Sequence, residues 1–295
     1  MIALKKKKKV LALAAVVGLI AAVYGYGVHI SYNDLVVTEY VFPSDKLTGE
    51  VKIVALADLH GNTFGENNEE LIAAVREQNP DVIFLVGDFL NREDTEHAAV
   101  PALAKALTEI APVYYALGNH EAVYVELQGD ALLNELTDAG AVILDRAYTD
   151  IELNGQRIRL GGMLDYAFAL DGKDSTNPET MEPEIYDFLC DFQDTDAMKI
   201  MLAHRPESFA LGEASVTWDV DLVISGHAHG GQMVLPGIGG LYSPDQGFFP
   251  KYVHGLYQKD KINLLVTNGL GSGPTIVRRF NNRPEIVSLT LCPEK

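Results

Sequence analysis

The sequence predicts an α/β fold in which two β-sheets pack face to face with helices on their outer sides, preceded by one apolar helix at the N-terminus. Up to about residue 144, strand-like apolar runs alternate with helix-like segments, which is typical of α/β proteins. From residue 148 onward strand-like runs predominate, and Asn154-Gly155 between two of them is a hairpin signal. This number of strands fits two packed sheets better than one doubly wound sheet.

The N-terminus combines five lysines, Lys5–Lys9, with the uncharged apolar segment 10–30. At a rise of about 1.5 Å per residue, these 21 residues form a helix roughly 31 Å long, enough to cross the hydrocarbon core of a bilayer. Because the lysines precede the segment, we expect a single-pass anchor in the cell membrane, with the rest of the chain on the extracytoplasmic side. A cleaved signal peptide is the main alternative, although the run is longer than the usual h-region of about 7 to 15 residues. A buried core helix is a third.

The chain divides into three predicted regions. Residues 1–30 hold the lysines and the membrane-spanning helix, residues 31–48 form a linker with a leading strand at 36–42, and residues 49–295 form the folded domain. The chain is 47% hydrophobic, which is enough for one large domain with a sizeable core.

Apolar periodicity places the elements of the domain. Strands are predicted at 51–57, 81–86, 112–117, 141–144, 198–203, 221–224, 261–267 and 285–291. Helices are predicted at 68–78, 95–110, 127–139 and 183–192. We expect Asn68 to cap the first of these helices, with Glu69 and Glu70 in its first turn.

Charge and cysteine content exclude some functions. The formal net charge is -18, so the protein would repel phosphate backbones, and nucleic acid is not an expected partner. Cys190 and Cys292 are the only cysteines, too few for a disulfide framework or a thiolate metal site. Whether they pair is left open, as is the oligomeric state.

Polar residues with metal-binding side chains follow five of the predicted strands. They are Asp58, His60, Asp88, Asn119, His120, His204, His227 and His229. The carboxyl ends of strands in α/β sheets meet at the edge where ligands bind. Residues two apart on extended backbone point the same way, so we expect Asp58 and His60, and likewise His227 and His229, to face one point. Taken alone, each of these motifs is more typical of a turn or a helix cap, except the pair His227 and His229, which favours metal binding. Together and in this order, the motifs predict a metal site.

These residues resemble the calcineurin-like metallophosphoesterases. The matching motifs are "DLH" at 58, "GD" at 87, "GNHE" at 118, "H" at 204 and "GHAH" at 226. The stretches after 226 and "LLVTNGLGSG" are similar to a bacterial membrane-anchored or exported subgroup, some of whose members are described as UDP-2,3-diacylglucosamine hydrolases or phospholipase-like phosphodiesterases. Asn268 departs from this subgroup, in which arginine is common at that position. The resemblance implies a four-layer α/β/β/α sandwich with two metals between its loops.

The resemblance also implies roles for the site residues. One metal would be bound by Asp58, His60, Asp88 and His229, and the other by Asp88, Asn119, His204 and His227. Asp88 would bridge them, through both carboxylate oxygens, and a metal-bridging hydroxide would attack phosphorus. His120 would protonate the leaving alkoxide, with Asp58 as a candidate carboxylate partner. Manganese, iron, zinc or cobalt would suit these nitrogen and oxygen ligands.

We therefore expect an enzyme: a membrane-anchored, dinuclear-metal phosphoesterase that hydrolyses a phosphate ester or pyrophosphate, with a lipid- or cell-wall-linked substrate favoured by the anchor. One alternative is a hydrolase of soluble nucleotides or phosphomonoesters, and another is a non-catalytic, metal-containing binding module. Arg205 and Lys251 are candidate phosphate contacts, with plain surface charge equally open. Segment 241–252 is either a substrate-facing loop or a packed loop, and 269–274 either cradles a phosphate or, more simply, forms a turn.

Overall fold

The computed structural model describes residues 2–163, 181–273 and 275–294 and has four layers, with two six-stranded sheets between two layers of helices. The strands are β1 Val36–Ser44, β2 Val51–Leu56, β3 Val82–Val86, β4 Val113–Ala116, β5 Val142–Leu144, β6 Ala147–Leu153, β7 Gln156–Met163, β8 Met198–Ala203, β9 Leu222–Ser225, β10 Val234–Leu235, β11 Gly239–Gly240, β12 Tyr242–Ser243, β13 Gly247–Phe248, β14 Gly255–Lys259, β15 Ile262–Val266 and β16 Glu285–Pro293. The helices are α1 Ile2–Asn33, α2 Glu69–Glu77, α3 Ala99–Thr108, α4 Asn119–Gln128, α5 Ala131–Asp138, α6 Pro183–Gln193, α7 Glu207–Ala210 and α8 Ala214–Thr217.

Both sheets are parallel at their centres. The first has the order β1-β16-β2-β3-β4-β5, in which β2 to β5 are parallel and β16 runs antiparallel to β2. The second has the order β14-β15-β9-β8-β7-β6, with antiparallel strands at both edges. Every residue of β3 and β8 is buried. The continuous apolar run of β3 is typical of a strand covered on both faces, whereas β8 also buries Lys199, whose Nζ pairs with Asp219.

The apolar core consists of three clusters, each of which lies between two adjacent layers. One cluster fills the space between the sheets, where Ile53 and Phe84 of the first sheet share a cluster with Ile200 and Ile224 of the second. Two further clusters lie between each sheet and its helices. The predicted two-sheet sandwich with outer helices is therefore confirmed.

Helices differ more from prediction than strands. The predicted helix 127–139 is two helices, α4 and α5, because the chain turns at Gly129, whose φ is 85°. Asn68 is not the expected cap: its φ is 63°, and its Oδ1 accepts the N–H of Phe64 at 3.1 Å instead of a helix amide. The hairpin at Asn154-Gly155 is confirmed, since Leu153 pairs with Gln156 across it. Both cysteines are free.

Helix α1 has an exposed part and a docked part. The stretch Lys7–Asn33 is long and apolar enough to cross a membrane, a criterion that a signal sequence would also meet. Residues 7–26 are exposed, whereas Gly27 is buried and its carbonyl accepts the N–H of Asn281 at 3.0 Å. Tyr24 stacks on Phe280 with ring centroids 5.5 Å apart. The C-terminal end of α1 is thus fixed to the folded domain.

Candidate metal centre

The eight predicted site residues meet at the carboxyl edge of the two sheets. They come from the segments directly after β2, β3, β4, β8 and β9, as the sequence predicts, and Asn119 and His120 form the start of α4. All eight are buried, with exposures from 0% for Asp58 and His204 to 9% for His120. Four sets of side chains among the described residues lie close enough to share an ion, and three of them consist of the predicted site residues. These three are Asp58 with His60 and His229, Asp88 with His204 and His227, and His60 with Asp88 and His120. The fourth is Glu207 with His227 and Asp245.

Asp88 lies between the first two of these sets. Its Oδ2 is 3.7 Å from Nε2 of His60 and 3.0 Å from Nε2 of His204. Its Oδ1 accepts the backbone N–H of His120 at 2.8 Å. Oδ2 thus lies between the two histidines, while Oδ1 holds the first turn of α4 in place.

Four buried atoms in this cluster make no hydrogen bond of good geometry among the described residues. They are Nε2 of His60, Oδ1 of Asn119, Nε2 of His204 and Nδ1 of His229. Nε2 of His204 is nevertheless 3.0 Å from Oδ2 of Asp88, so the other three are the unpartnered ligand atoms. Buried polar atoms are normally satisfied, and an unsatisfied one is costly. Nitrogen and oxygen ligands of a common ion lie about 3 to 4 Å apart when each bond is about 2.1 Å long. The distance of 3.9 Å between Nδ1 of His229 and Oδ1 of Asp58 falls in that range, so these residues fit a pair of divalent cations.

Hydrogen bonds orient two of the imidazoles. Nδ1 of His60 lies 3.0 Å from Oδ1 of Asn91, and Nδ1 of His204 lies 2.7 Å from the carbonyl oxygen of Val86. Each Nδ1–H donates to an oxygen, which leaves Nε2 directed at the carboxylates. Metal-binding histidines are commonly fixed by such a second contact.

The backbone of the site is strained. Asp58, His60, Asp88, His227 and His229 all have positive φ, between 45° and 63°. The expected extended backbone at these pairs is therefore wrong: left-handed turns, not alternate residues of a strand, aim the side chains at one point. Non-glycine residues adopt this region rarely, and such strain is concentrated at functional sites.

Burial and mutual charges shift the ionisation of the cluster. Burial lowers the pKa of His60 to about 4, against the opposing effect of Asp88. Burial also lowers the pKa of His204, but Asp88 outweighs it and the net result is a pKa of about 10. Burial raises the pKa of Asp58 to about 7, although His204 opposes the change. His60 is thus neutral and ready to bind an ion, and a cation beside Asp88 would displace the proton of His204.

Comparison with known proteins identifies the family. Residues 51–231 match the family described as Calcineurin-like phosphoesterase. The chain belongs to this family. It is 28% identical over 282 residues to the metallophosphoesterase YkuE of Bacillus subtilis, covering 91% of this chain and 89% of that protein. It is 29% identical over 243 residues to the phosphodiesterase YaeI of Escherichia coli, covering 81% of this chain and 82% of that protein. It is also 28% identical to a Danio rerio transmembrane protein with a metallophosphoesterase domain, covering 95% of this chain and 62% of that protein.

The family depends on a dinuclear metal centre, and this chain is accordingly a metal-dependent phosphoesterase. Glu121 is a further residue of the site, to which the sequence pattern alone assigns no role. Its carboxylate is fully buried and accepts the N–H groups of Asp88, Phe89 and Gly118 and the hydroxyl of Tyr115, at 2.6 to 3.0 Å. It therefore ties the loops after β3 and β4 together. The position of Glu121 three residues after Gly118 was the available signal, since a helix N-terminus often uses glutamate in this way.

His120 faces a cavity of about 630 Å³ that is also lined by His60, Asp88 and Arg205. Its Nδ1 accepts the backbone N–H of Arg92 at 3.1 Å, so Asp58 is not the partner of that atom. A neutral His120 must then carry its proton on Nε2. Burial lowers the pKa of His120, with Asp88 opposing the change.

Asp245, from segment 241–252, lines the metal-site cavity together with Tyr242 and Pro244. Its Oδ2 is 2.9 Å from Nε2 of His227 and contacts the guanidinium of Arg205. Of the two candidate phosphate contacts, Arg205 lines the metal-site cavity, whereas Lys251 lines a different one together with Asn268. In the stretch 269–274, Ser272 and Gly273 line the metal-site cavity, and residue 274 lies outside the described residues.

Proposed function

We propose that this protein is a membrane-anchored phosphoesterase with two divalent metals, which hydrolyses a phosphate ester or pyrophosphate in a lipid- or envelope-linked substrate. The observation that carries the proposal is the convergence of unpartnered ligand atoms beside His120 in one cavity. Carboxylate, amide and imidazole ligands suit manganese, iron, zinc or cobalt.

The proposed ligands follow the first two of the observed sets. Asp58, His60 and His229 would hold one ion, and Asn119, His204 and His227 would hold the other, with Asp88 contributing to both. When bound, two such cations act as Lewis acids on the phosphoryl oxygens and acidify a water. The chain's own contribution is to fix these ligands on strained loops held by Glu121.

His120 is the proposed general acid. With Nδ1 occupied by the Arg92 amide, its Nε2–H donates to the leaving oxygen of the ester. Arg205 places a cation in the same cavity, where it would attract the anionic substrate.

The anchor supports an envelope substrate. Helix α1 is apolar over a membrane-spanning length, and the preceding lysines favour an extracytoplasmic domain. Because the end of α1 is fixed to the domain, the site would be held near the bilayer. The name of the E. coli relative, a phosphodiesterase, supports a diester among the candidate substrates.

The test uses the full chain in detergent, stripped of metal and reconstituted with Mn²⁺. Turnover of bis-p-nitrophenyl phosphate, p-nitrophenyl phosphate and a phospholipid is compared with that of Asp88→Asn. We expect metal-dependent hydrolysis that falls by at least about a thousandfold in the variant, because the shared ligand loses its charge. Two bound metals without hydrolysis of any of the three would contradict an active phosphoesterase and favour a binding module.

A further inference from the structure

A second cavity, of about 800 Å³, lies between helix α1 and the folded domain. Tyr26 and Ile30 of α1 form one wall. Ile238 in the β10–β11 turn and Val253 contribute apolar surface on the domain side. The cavity is therefore built where the apolar helix meets the domain, and not at the metal site.

The loop 229–232 separates the two cavities. Gly230 lines the cavity beside α1, whereas His229 and Gln232 line the metal-site cavity. The two share no lining residue among those described. A molecule in the cavity beside α1 would thus occupy a distinct site.

The charge of this cavity is opposite to that of the protein. Its described lining contains Lys251, His254 and Arg283 and no aspartate or glutamate, although the chain carries a net charge of -18. His254 is paired with the buried Glu285 at 3.0 Å, outside the lining. Arg283 is paired with Asp34 at 3.0 Å, with both side chains about half exposed. Lys251 has no ion pair within the described part of the chain and packs on the ring of Tyr252. The cavity is therefore suited to an anion at Lys251.

The length of α1 places this cavity at the membrane surface. The exposed apolar part of the helix, residues 10–26, is 17 residues long, or about 25 Å, somewhat less than the roughly 30 Å of a hydrocarbon core. With the lysines in one interface, Tyr26 lies within about 5 Å of the opposite boundary of the hydrocarbon core, and the docked turns that follow extend towards the headgroups. Ile238, Phe248 and Phe249 are 62%, 64% and 67% exposed, apolar surface that would otherwise face water.

We propose that this cavity binds an anionic phospholipid of the adjoining leaflet, with its phosphate at Lys251 and Arg283 and its acyl chains against Tyr26, Ile30 and Ile238. The inference rests on the membrane anchoring by α1 that is part of the proposed function, but not on hydrolysis. Charge complementarity and continuity with the apolar helix select a lipid over a soluble anion.

The test is native mass spectrometry of the full-length, metal-free protein released from detergent, titrated with phosphatidylglycerol, phosphatidylcholine or inorganic phosphate. We expect one phosphatidylglycerol per chain, bound at least about tenfold more tightly than phosphatidylcholine. Lys251→Gln and Ile238→Ser should each weaken binding at least about fivefold. The matched controls Lys105→Gln and Leu127→Ser change exposed residues of α3 and α4 that line neither cavity, and they should leave binding unchanged.

Other outcomes would overturn the proposal. Equal lipid binding by Lys251→Gln and Lys105→Gln would remove the cavity as the site. Binding of inorganic phosphate as tight as that of lipid, and insensitive to Ile238→Ser, would assign the cavity to a free anion. A dimer that excludes lipid would assign it to a second copy of the chain. Asp88→Asn should abolish hydrolysis and retain lipid, so failure of the lipid site and failure of the phosphoesterase are distinguishable.

Discussion

At the scale of single residues, Glu121 holds the site together from outside the set of proposed ligands. Its carboxylate accepts four hydrogen bonds, and in Glu121→Gln an amide group would face donors such as the N–H of Phe89. We expect the free energy of unfolding to fall by about 2 to 4 kcal/mol and metal affinity by about 10- to 100-fold. Denaturant unfolding with chelator and calorimetric Mn²⁺ titration measure these. Glu135→Gln, at a side chain that is 52% exposed and pairs with His97, is the control and should cost less than about 1 kcal/mol. Equal effects of the two variants would show that Glu121 does not organise the site.

At the scale of elements, the docking of α1 depends on a glycine. A Cβ at Gly27 would lie 2.2 Å from the ring of Phe280, whereas one at Gly18 would meet nothing within 4 Å. In Gly27→Leu we expect the amide of Asn281, which donates to the carbonyl of residue 27, to exchange its hydrogen about tenfold faster or more, because the docked turns separate. Hydrogen exchange with mass spectrometry measures this, and Gly18→Leu is the matched control. Unchanged exchange in Gly27→Leu would mean that the ring simply moves aside and the contact is not a determinant of docking.

The same scale shows which parts of the structure could be predicted from the sequence. The buried strands could be predicted, because a continuous apolar run such as that of β3, Val82–Val86, admits few alternatives, and the predicted strand 81–86 differs from it by one residue. The site residues could also be predicted, because each comes shortly after a buried strand. The start of helix α4 could not be predicted, because its first turn, from Asn119, carries polar site residues and lacks an apolar stripe. The burial of Arg279 could not be predicted either. Its side chain is fully buried and donates to five backbone carbonyls, and only the tertiary structure brings these carbonyls together.

At the scale of the whole molecule, a buried carboxylate links the two sheets. Glu285 begins β16 in the first sheet, and its side chain accepts the hydroxyl of Thr267, which follows β15 of the second, at 2.8 Å. His254 lies 3.0 Å from it and 3.2 Å from the hydroxyl of Tyr40 in β1. The hydrogen bond to Glu285 raises the pKa of His254 above its usual 6.5, against the effect of burial. Burial raises the pKa of Glu285, but His254 outweighs this and holds it below the usual 4.5.

The pH dependence of stability follows from the signs of these two shifts. The histidine contribution is complete below about pH 6.5 and is lost as the pH rises through the folded pKa of His254. The carboxylate contribution is complete above about pH 4.5 and is lost as the pH falls through the folded pKa of Glu285. The stability difference between the native protein and His254→Gln should therefore be largest between about pH 4.5 and 6.5. It should stay below about 1 kcal/mol, because the His254 side chain is 41% exposed. Thermal unfolding of the full chain in detergent from pH 4 to 9 measures it, with His29→Gln, at an exposed histidine of α1, as control. A stability difference that grows above pH 8 would contradict the pairing, because a neutral histidine interacts only weakly with the carboxylate of Glu285. At that pH the contact between the sheets should depend on Thr267 and the backbone instead.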